Sequence, residues 1–230
     1  MRSQYFRYFM LLTLLIFARN SFAQQEINQQ DENGRKFGKW EGYFPDGKLR
    51  YRGQFHNNKA VGTFQYFYED GSLRAVNEFA PGGIKAWHKS FSKTGILLAE
   101  GIYLNQKKDS TWRIYSDADG ALLSEENYSN NLLDGLTKVY FPGKESVAEE
   151  TFYENGLKEG LSKKYYDSEK LLSEMFYKND LPDGAMTVFF ENGQKQIEGY
   201  FKEGLKTGVW KTFDENGVLI SEDSYKERDF

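Results

Sequence analysis

Cysteine is absent from the chain, and proline is scarce, with four among 230 residues. The first absence removes disulfides, thiolate nucleophiles and sulfur-ligated metals together. The second leaves turns to residues that reach positive φ, and 22 glycines are present to make them. Histidine is rarer still. His56 and His88 each lack a second histidine or a carboxylate at metal-ligand spacing, so both read as ordinary surface side chains, and neither a metal nor a cofactor is expected. An excess of basic charge is also missing. Beyond residue 23 the chain carries 27 basic against 34 acidic side chains, the opposite of the basic stripe that tracks phosphates, so a nucleic-acid partner is not expected. No nucleophile elbow, P-loop, dinucleotide fingerprint or histidine dyad occurs, and enzyme chemistry has no sequence support.

One long apolar run exists, from Tyr8 to Ala18, preceded by Arg2 and Arg7 and followed by Ser21-Phe22-Ala23. A basic start, a short apolar stretch and a small-x-small site form the pattern of a secretory signal peptide, read here as residues 1–23. Eleven residues fall short of the roughly 20 that a hydrocarbon core requires. The expectation is therefore an exported, periplasmic or extracellular protein with no integral membrane segment after cleavage. Residues 24–37 are polar apart from Ile27 and Phe37 and read as a disordered lead-in.

What remains, 38–230, is rich in rings and repetitive. Aromatics make up 17% of the chain, which favours strands. Units start at Gly38, Gly62, Lys85, Ser110, Gly135, Gly160, Gly184 and Gly208, at intervals of 23 to 25 residues. Most present a large apolar residue two places on and an aromatic five places on, displaced by one to Phe91 in the third unit, then a turn dipeptide closed by Gly47, Gly71, Gly95, Gly120, Gly193 or Gly217, with Pro142-Gly143 and Ser168-Glu169 as degenerate copies. Asp-Gly and Asn-Gly between β-prone runs predict a type I′ hairpin turn. A second strand follows, closing on Phe55, Phe79, Tyr103, Tyr128, Phe152, Phe176, Phe201 or Tyr225, and a polar loop leads to the next unit. One such hairpin is marginal alone, so burial must be shared with its neighbours. The expected fold is all-β: an elongated, open antiparallel β-meander of about eight stacked hairpins and about sixteen strands.

Units of the form G-x-W-x-x-Y-x-x-[DN]-G-x-L-x-x-E-x-x-Y resemble the MORN-repeat variant of proteins grouped as YwqK-type antitoxins, over Gly38 to Tyr225. The resemblance implies a non-enzymatic interaction surface and, through the antitoxin grouping, a toxin partner that is bound and neutralised.

Three constellations merit weighing. Asp117, Asp119, Gly120 and Glu126 match part of a calcium loop, but Tyr115 stands at the first ligand position and the spacing recurs with every hairpin, so a structural turn is the better reading. Glu78, Glu100, Glu126, Glu150, Glu174, Glu198 and Glu222 recur in nearly every unit, unlike a catalytic pair in a singular pocket, and read as solvent-facing strand residues that pair with lysine or block edge association. Trp40, Trp87, Trp112 and Trp210 are possible ligand-stacking aromatics; filling the ladder between repeats is the competing role. The functional expectation is a scaffold for an unidentified protein partner, with a carbohydrate or envelope-glycan module as the alternative.

Overall fold

The computed structural model describes residues 26–226, and the signal-peptide reading of 1–23 lies outside them. The described residues form strands and turns, with no helix. The first nine strands are β1 Gln29–Gln30, β2 Lys36–Tyr43, β3 Leu49–His56, β4 Lys59–Phe67, β5 Leu73–Phe79, β6 Lys85–Phe91, β7 Leu97–Leu104, β8 Lys107–Tyr115 and β9 Leu122–Ser129. The rest are β10 Leu132–Leu133, β11 Gly135–Tyr140, β12 Val147–Glu154, β13 Leu157–Tyr165, β14 Leu171–Lys178, β15 Leu181–Phe189, β16 Lys195–Lys202, β17 Leu205–Phe213 and β18 Leu219–Tyr225. Each pairs antiparallel with its predecessor and successor in one open meander, β10 and β11 together lying beside β9. The expected all-β meander of hairpin repeats is what forms.

The count rises to eighteen for two reasons. The partner of β9 is broken into β10 and β11 around Asp134, whose N–H bonds to Asn127 O instead. And the lead-in does not stay disordered: Gln29 and Gln30 pair with Phe37 and Lys36, and Asp31 to Arg35 close a turn with the same hydrogen bonds as that of Phe44 to Lys48 in the first unit. The sequence DENG at 31–34 recurs at 214–217 in the last unit, a signal that went unused because the segment carries so few rings.

Turn types are exchanged relative to expectation. Inside a unit, Gly47 N–H bonds to Phe44 O at 2.9 Å and Phe44 N–H to Lys48 O at 2.8 Å, with positive φ at Gly47 but not at Asp46. That is a type I turn followed by a left-handed glycine, the three-residue hairpin loop, and Pro45 pre-sets its first central residue. Gly71, Gly95, Gly120, Gly193 and Gly217 have φ between 74° and 89°. The type I′ turns lie between units, in the loops read only as polar connectors. At Asn57-Asn58, Asn130-Asn131 and Asn179-Asp180 both central residues have positive φ, between 49° and 73°, and the flanking residues pair directly, as His56 does with Lys59. Asparagine is the residue that tolerates this conformation best after glycine. Asn58 Oδ1 also accepts the Lys36 N–H at 2.8 Å, and Asn131 Oδ1 that of Lys108 at 2.6 Å, so each such turn clasps the hairpin one unit back.

Two kinds of glycine set the register. Between the pairs Gln54–Val61 and Arg52–Gln65, the single residue Gly53 faces Gly62, Thr63 and Phe64. Gly62, at φ 63°, makes this bulge; a Cβ there would touch nothing, so its need is conformational. Gly53 needs space instead, because a Cβ would lie 2.4 Å from the Phe64 ring. The same geometry recurs where Gly101 faces Trp112 and Gly199 faces Trp210, each with a hypothetical Cβ 2.3 Å from the indole.

Gly101→Ala and Gly199→Ala are expected to destabilise by about 2–4 kcal/mol because the indole must leave its seat. Gly62→Ala is expected to cost only about 1–2 kcal/mol, for one residue held at positive φ. Urea midpoints compared across the three variants check this order.

Candidate functional site

Because the sheet is one layer thick, both faces are candidate surfaces. The inner face carries the rings. Directly paired residues along its central row are matched in size: Gly53 with Phe64, Gly101 with Trp112 and Gly199 with Trp210, but Thr151 with Ser162 and Met175 with Met186. Rings meet edge to face, Phe55 with Phe64 at 5.1 Å, Tyr103 with Trp112 at 4.9 Å and Phe201 with Trp210 at 5.0 Å. Such contacts add about 0.5–1.5 kcal/mol each beyond the area buried. The indole N–H of Trp112 bonds to Ile102 O at 3.1 Å and that of Trp210 to Tyr200 O at 3.2 Å. A lysine four residues earlier lies over the same indole: Lys36 over Trp40 at 4.4 Å, Lys108 over Trp112 at 4.5 Å, Lys206 over Trp210 at 4.0 Å. This K-x-G-x-W pattern, with serine for glycine at Ser110, stands in the sequence.

The four tryptophans consequently separate. Trp112 and Trp210 are 2% and 6% exposed and capped by lysine, so neither offers a free ring face. Trp40 is half-buried beneath Lys36. Trp87 is 48% exposed and stands on the outer face. The reason is the third unit's start, Lys85, which makes no bulge: β5 and β6 pair without a register shift, Asn77 opposite His88 and Glu78 opposite Trp87. A one-residue difference in register exchanges the two faces. The closing rings show the same effect. In the fifth and sixth units Tyr153 and Tyr177 pair near the bulge glycines on the ring row, while Phe152 and Phe176, expected there, are 44% and 42% exposed on the other face.

The inner face is hollowed at the third unit, where the small residues Ala75, Ala86 and Ser90 floor a groove of about 850 Å³, walled by Phe55, Tyr66, Phe79 and Tyr103. His88 lies in it, contacting Tyr103 at 5.3 Å, with Nδ1 donating to Asn77 Oδ1 at 2.6 Å. His88 is thus a packed groove residue, not a surface one. Burial, with a smaller contribution from Lys108, lowers its pKa and keeps the ring neutral; burial raises those of Tyr66 and Tyr103. A second hollow, near Asp183, Phe201, Lys206 and Tyr225, contains its own ion pair, Lys202 to Asp183 at 3.3 Å.

The outer face is a charge ladder. Lys89, Glu100, Arg113, Glu125, Lys138, Glu150, Lys163 and Glu174 stand opposite one another on successive strands, and the alternation resumes at Glu198, Lys211 and Glu222. Lys89 reaches Glu100 at 3.3 Å and Arg113 reaches Glu125 at 2.8 Å. The solvent-facing, lysine-paired reading therefore holds for Glu100 and Glu150, and fails for Glu126. Glu125 occupies the ladder, while Glu126 turns inward and accepts the Tyr128 hydroxyl at 2.7 Å. In the fourth, fifth and sixth units the aromatic five places after the start bonds back to the ladder: Tyr115 to Glu100 at 2.8 Å, Tyr140 to Glu125 and Tyr165 to Glu150 at 2.9 Å. In the calcium-like stretch, Asp119 Oδ1 accepts the Ala121 N–H at 3.1 Å, the work of a turn residue.

With this geometry in place, comparison with known families is informative. The MORN repeat variant model matches residues 38–57, 158–179, 182–203 and 206–227. Four units are thus MORN-like. The matches at 158–179, 182–203 and 206–227 each open just past a tight inter-unit turn, and the first two end in the next one, so they carry the phase that the strand pairing gives. The hairpins continue through 58–157 between the matched stretches, and the bulge-less third unit with its groove lies there. No curated protein matches the chain.

Acrylamide quenching is expected to act mainly on Trp87 and Trp40, so that Trp87→Phe removes a large share of the quenchable emission while Trp112→Phe and Trp210→Phe remove little. Base titration tests the ladder. Burial first, then the neighbouring glutamate, raises the pKa of Tyr115, Tyr140 and Tyr165 from 10.0 to about 12. The unfolded chain releases these protons near pH 10 and the folded one near 12. Their contribution to stability is therefore complete below pH 10 and lost between pH 10 and about 12. Replacing all three by phenylalanine should flatten the loss in that window, read from urea midpoints against pH.

Proposed function

We propose that the protein is an exported, non-enzymatic repeat scaffold that binds another protein along its extended sheet. MORN-like repeats are typically non-enzymatic and often bind proteins or membranes. The observation that carries the reading is the single open layer. Eighteen strands expose two long faces, one of rings and one of alternating charge, and the wider hollows are open grooves in a face rather than catalytic clefts. Export rests on the basic and apolar pattern of residues 1–23. The antitoxin grouping that the repeat form resembles gives the partner a candidate class, a toxin held inactive.

Photocrosslinking in cells tests this. A benzophenone side chain placed at Tyr66 on the ring face or at Lys211 on the charged face should give a discrete crosslinked protein from at least one position. Fractionation should recover the chain outside the cytoplasm with a mass matching cleavage after Ala23. No crosslink from either face removes the scaffold reading, and an intact amino terminus in the cytoplasm removes export. The glycan alternative rests now on Trp40 and Trp87; binding to envelope glycans that disappears in Trp87→Ala would favour it over the protein partner.

A further inference from the structure

We infer that the groove of the third unit is a binding site for a small, apolar, ring-bearing carboxylate, independent of any protein held along the sheet. The site exists because of a local departure from the repeat. Without a bulge between β5 and β6, Trp87 turns to the outer face, Asn77 and His88 take the places on the inner row where other units seat a glycine and a larger ring, and the small residues Ala75, Ala86 and Ser90 lie beside them. The space left, about 850 Å³, lies within the range of small-ligand pockets, and rings from both neighbouring units wall it. A second hollow, near Phe201 and Tyr225, contains the acids Asp183 and Glu203, whereas this one contains none.

Charge selects the ligand. The chain holds 34 acidic side chains, yet no carboxylate lines the groove; its charged lining residues are Lys59 and Arg74. Both are exposed and neither forms a salt bridge among the described residues. They mark opposite ends. Lys59 follows the inter-unit turn and Arg74 the turn inside the second unit, and the five residues from Ala75 to Phe79 between those levels span roughly 13 Å of strand. Arg74 lies over the Tyr66 ring at 6.0 Å, which presents its guanidinium at the groove mouth. A guanidinium there takes a carboxylate in two parallel hydrogen bonds. The ligand's ring then lies over Ala75 and Ala86 between the wall rings, and the Asn77–His88 pair supplies the polar spot on the floor. Because His88 is neutral, the negative end belongs at Arg74 rather than at the imidazole.

The test uses the full chain and three probes of one shape: 3-phenylpropionate, 3-phenylpropan-1-ol and 3-phenylpropylamine. Amide chemical shifts followed by two-dimensional NMR should saturate with the acid and move at Ala75, Ala86 and Ser90. The alcohol should bind at least tenfold more weakly and the amine more weakly still. Arg74→Gln should weaken the acid about tenfold and leave the alcohol unchanged; Lys211→Gln, in the outer ladder, should change neither. Ala75→Met, which fills the floor, should abolish binding of acid and alcohol together, with an otherwise unchanged amide spectrum as the check on folding. Equal affinity for acid and alcohol, an acid affinity insensitive to Arg74→Gln, shifts confined to other units, or no saturable binding of the acid would each overturn the assignment. Crosslinking to a protein partner through Lys211 is unaffected by any of these results.

Discussion

A ring seated over a missing side chain is the contact on which the rest of the sheet depends. Where Gly53, Gly101 and Gly199 withhold a Cβ, Phe64, Trp112 and Trp210 lie against the backbone of the preceding unit, and the bulge opposite brings them there. A single-layer sheet has no second sheet or helix to bury its side chains, so close approach of ring to backbone is how it removes apolar surface from water. The carbonyl facing each indole is satisfied by the indole N–H, and the lysine four residues earlier covers the exposed ring face. Burial, hydrogen bonding and cation–π attraction thus converge on Trp112 and Trp210.

Register follows from that seat. The bulge shifts the strand so that large rings return to the inner face in each unit, and the outer face then receives acids and bases in alternation. Individually the exposed ion pairs of the ladder contribute little, about 0–1 kcal/mol. Their value is discrimination: slipping one strand by one residue would bring rings out, turn charges inward and break the pairing of Tyr115 with Glu100 and of Tyr140 with Glu125 at once. The last strand, β18, carries Glu222 on the ladder side and Asp223 opposite Trp210, acids that discourage uncontrolled addition of further strands at that edge.

Function and irregularity coincide in the third unit. The MORN-like pattern fills its inner row in most units and leaves nothing to bind there. At Lys85 the start glycine and its bulge are missing, Asn77 and His88 take the row, and Lys59 and Arg74, which form no salt bridge among the described residues, lie beside the groove. A repeat scaffold can carry such a change because each hairpin is held mainly by its immediate neighbours, so an altered unit costs little elsewhere.

The sequence by itself determined the period, the strand-turn-strand unit, the positions of the turn glycines and the all-β meander, because these are local: positive φ at glycine and two-residue alternation are written in single short stretches. It also held, unread, the DENG turn at 31–34 and the lysine before each buried tryptophan. Which face a side chain occupies was decided only in the tertiary structure. Trp87, Phe152, Phe176 and Glu126 all sit at plausible repeat positions, yet the face each takes depends on the register of its strand against the neighbouring strand. That is a property of a pair of strands and not of either one, since a single residue of slip inverts every side chain beyond it. The groove has the same origin: it is the space left when two strands pair without the shift their neighbours make.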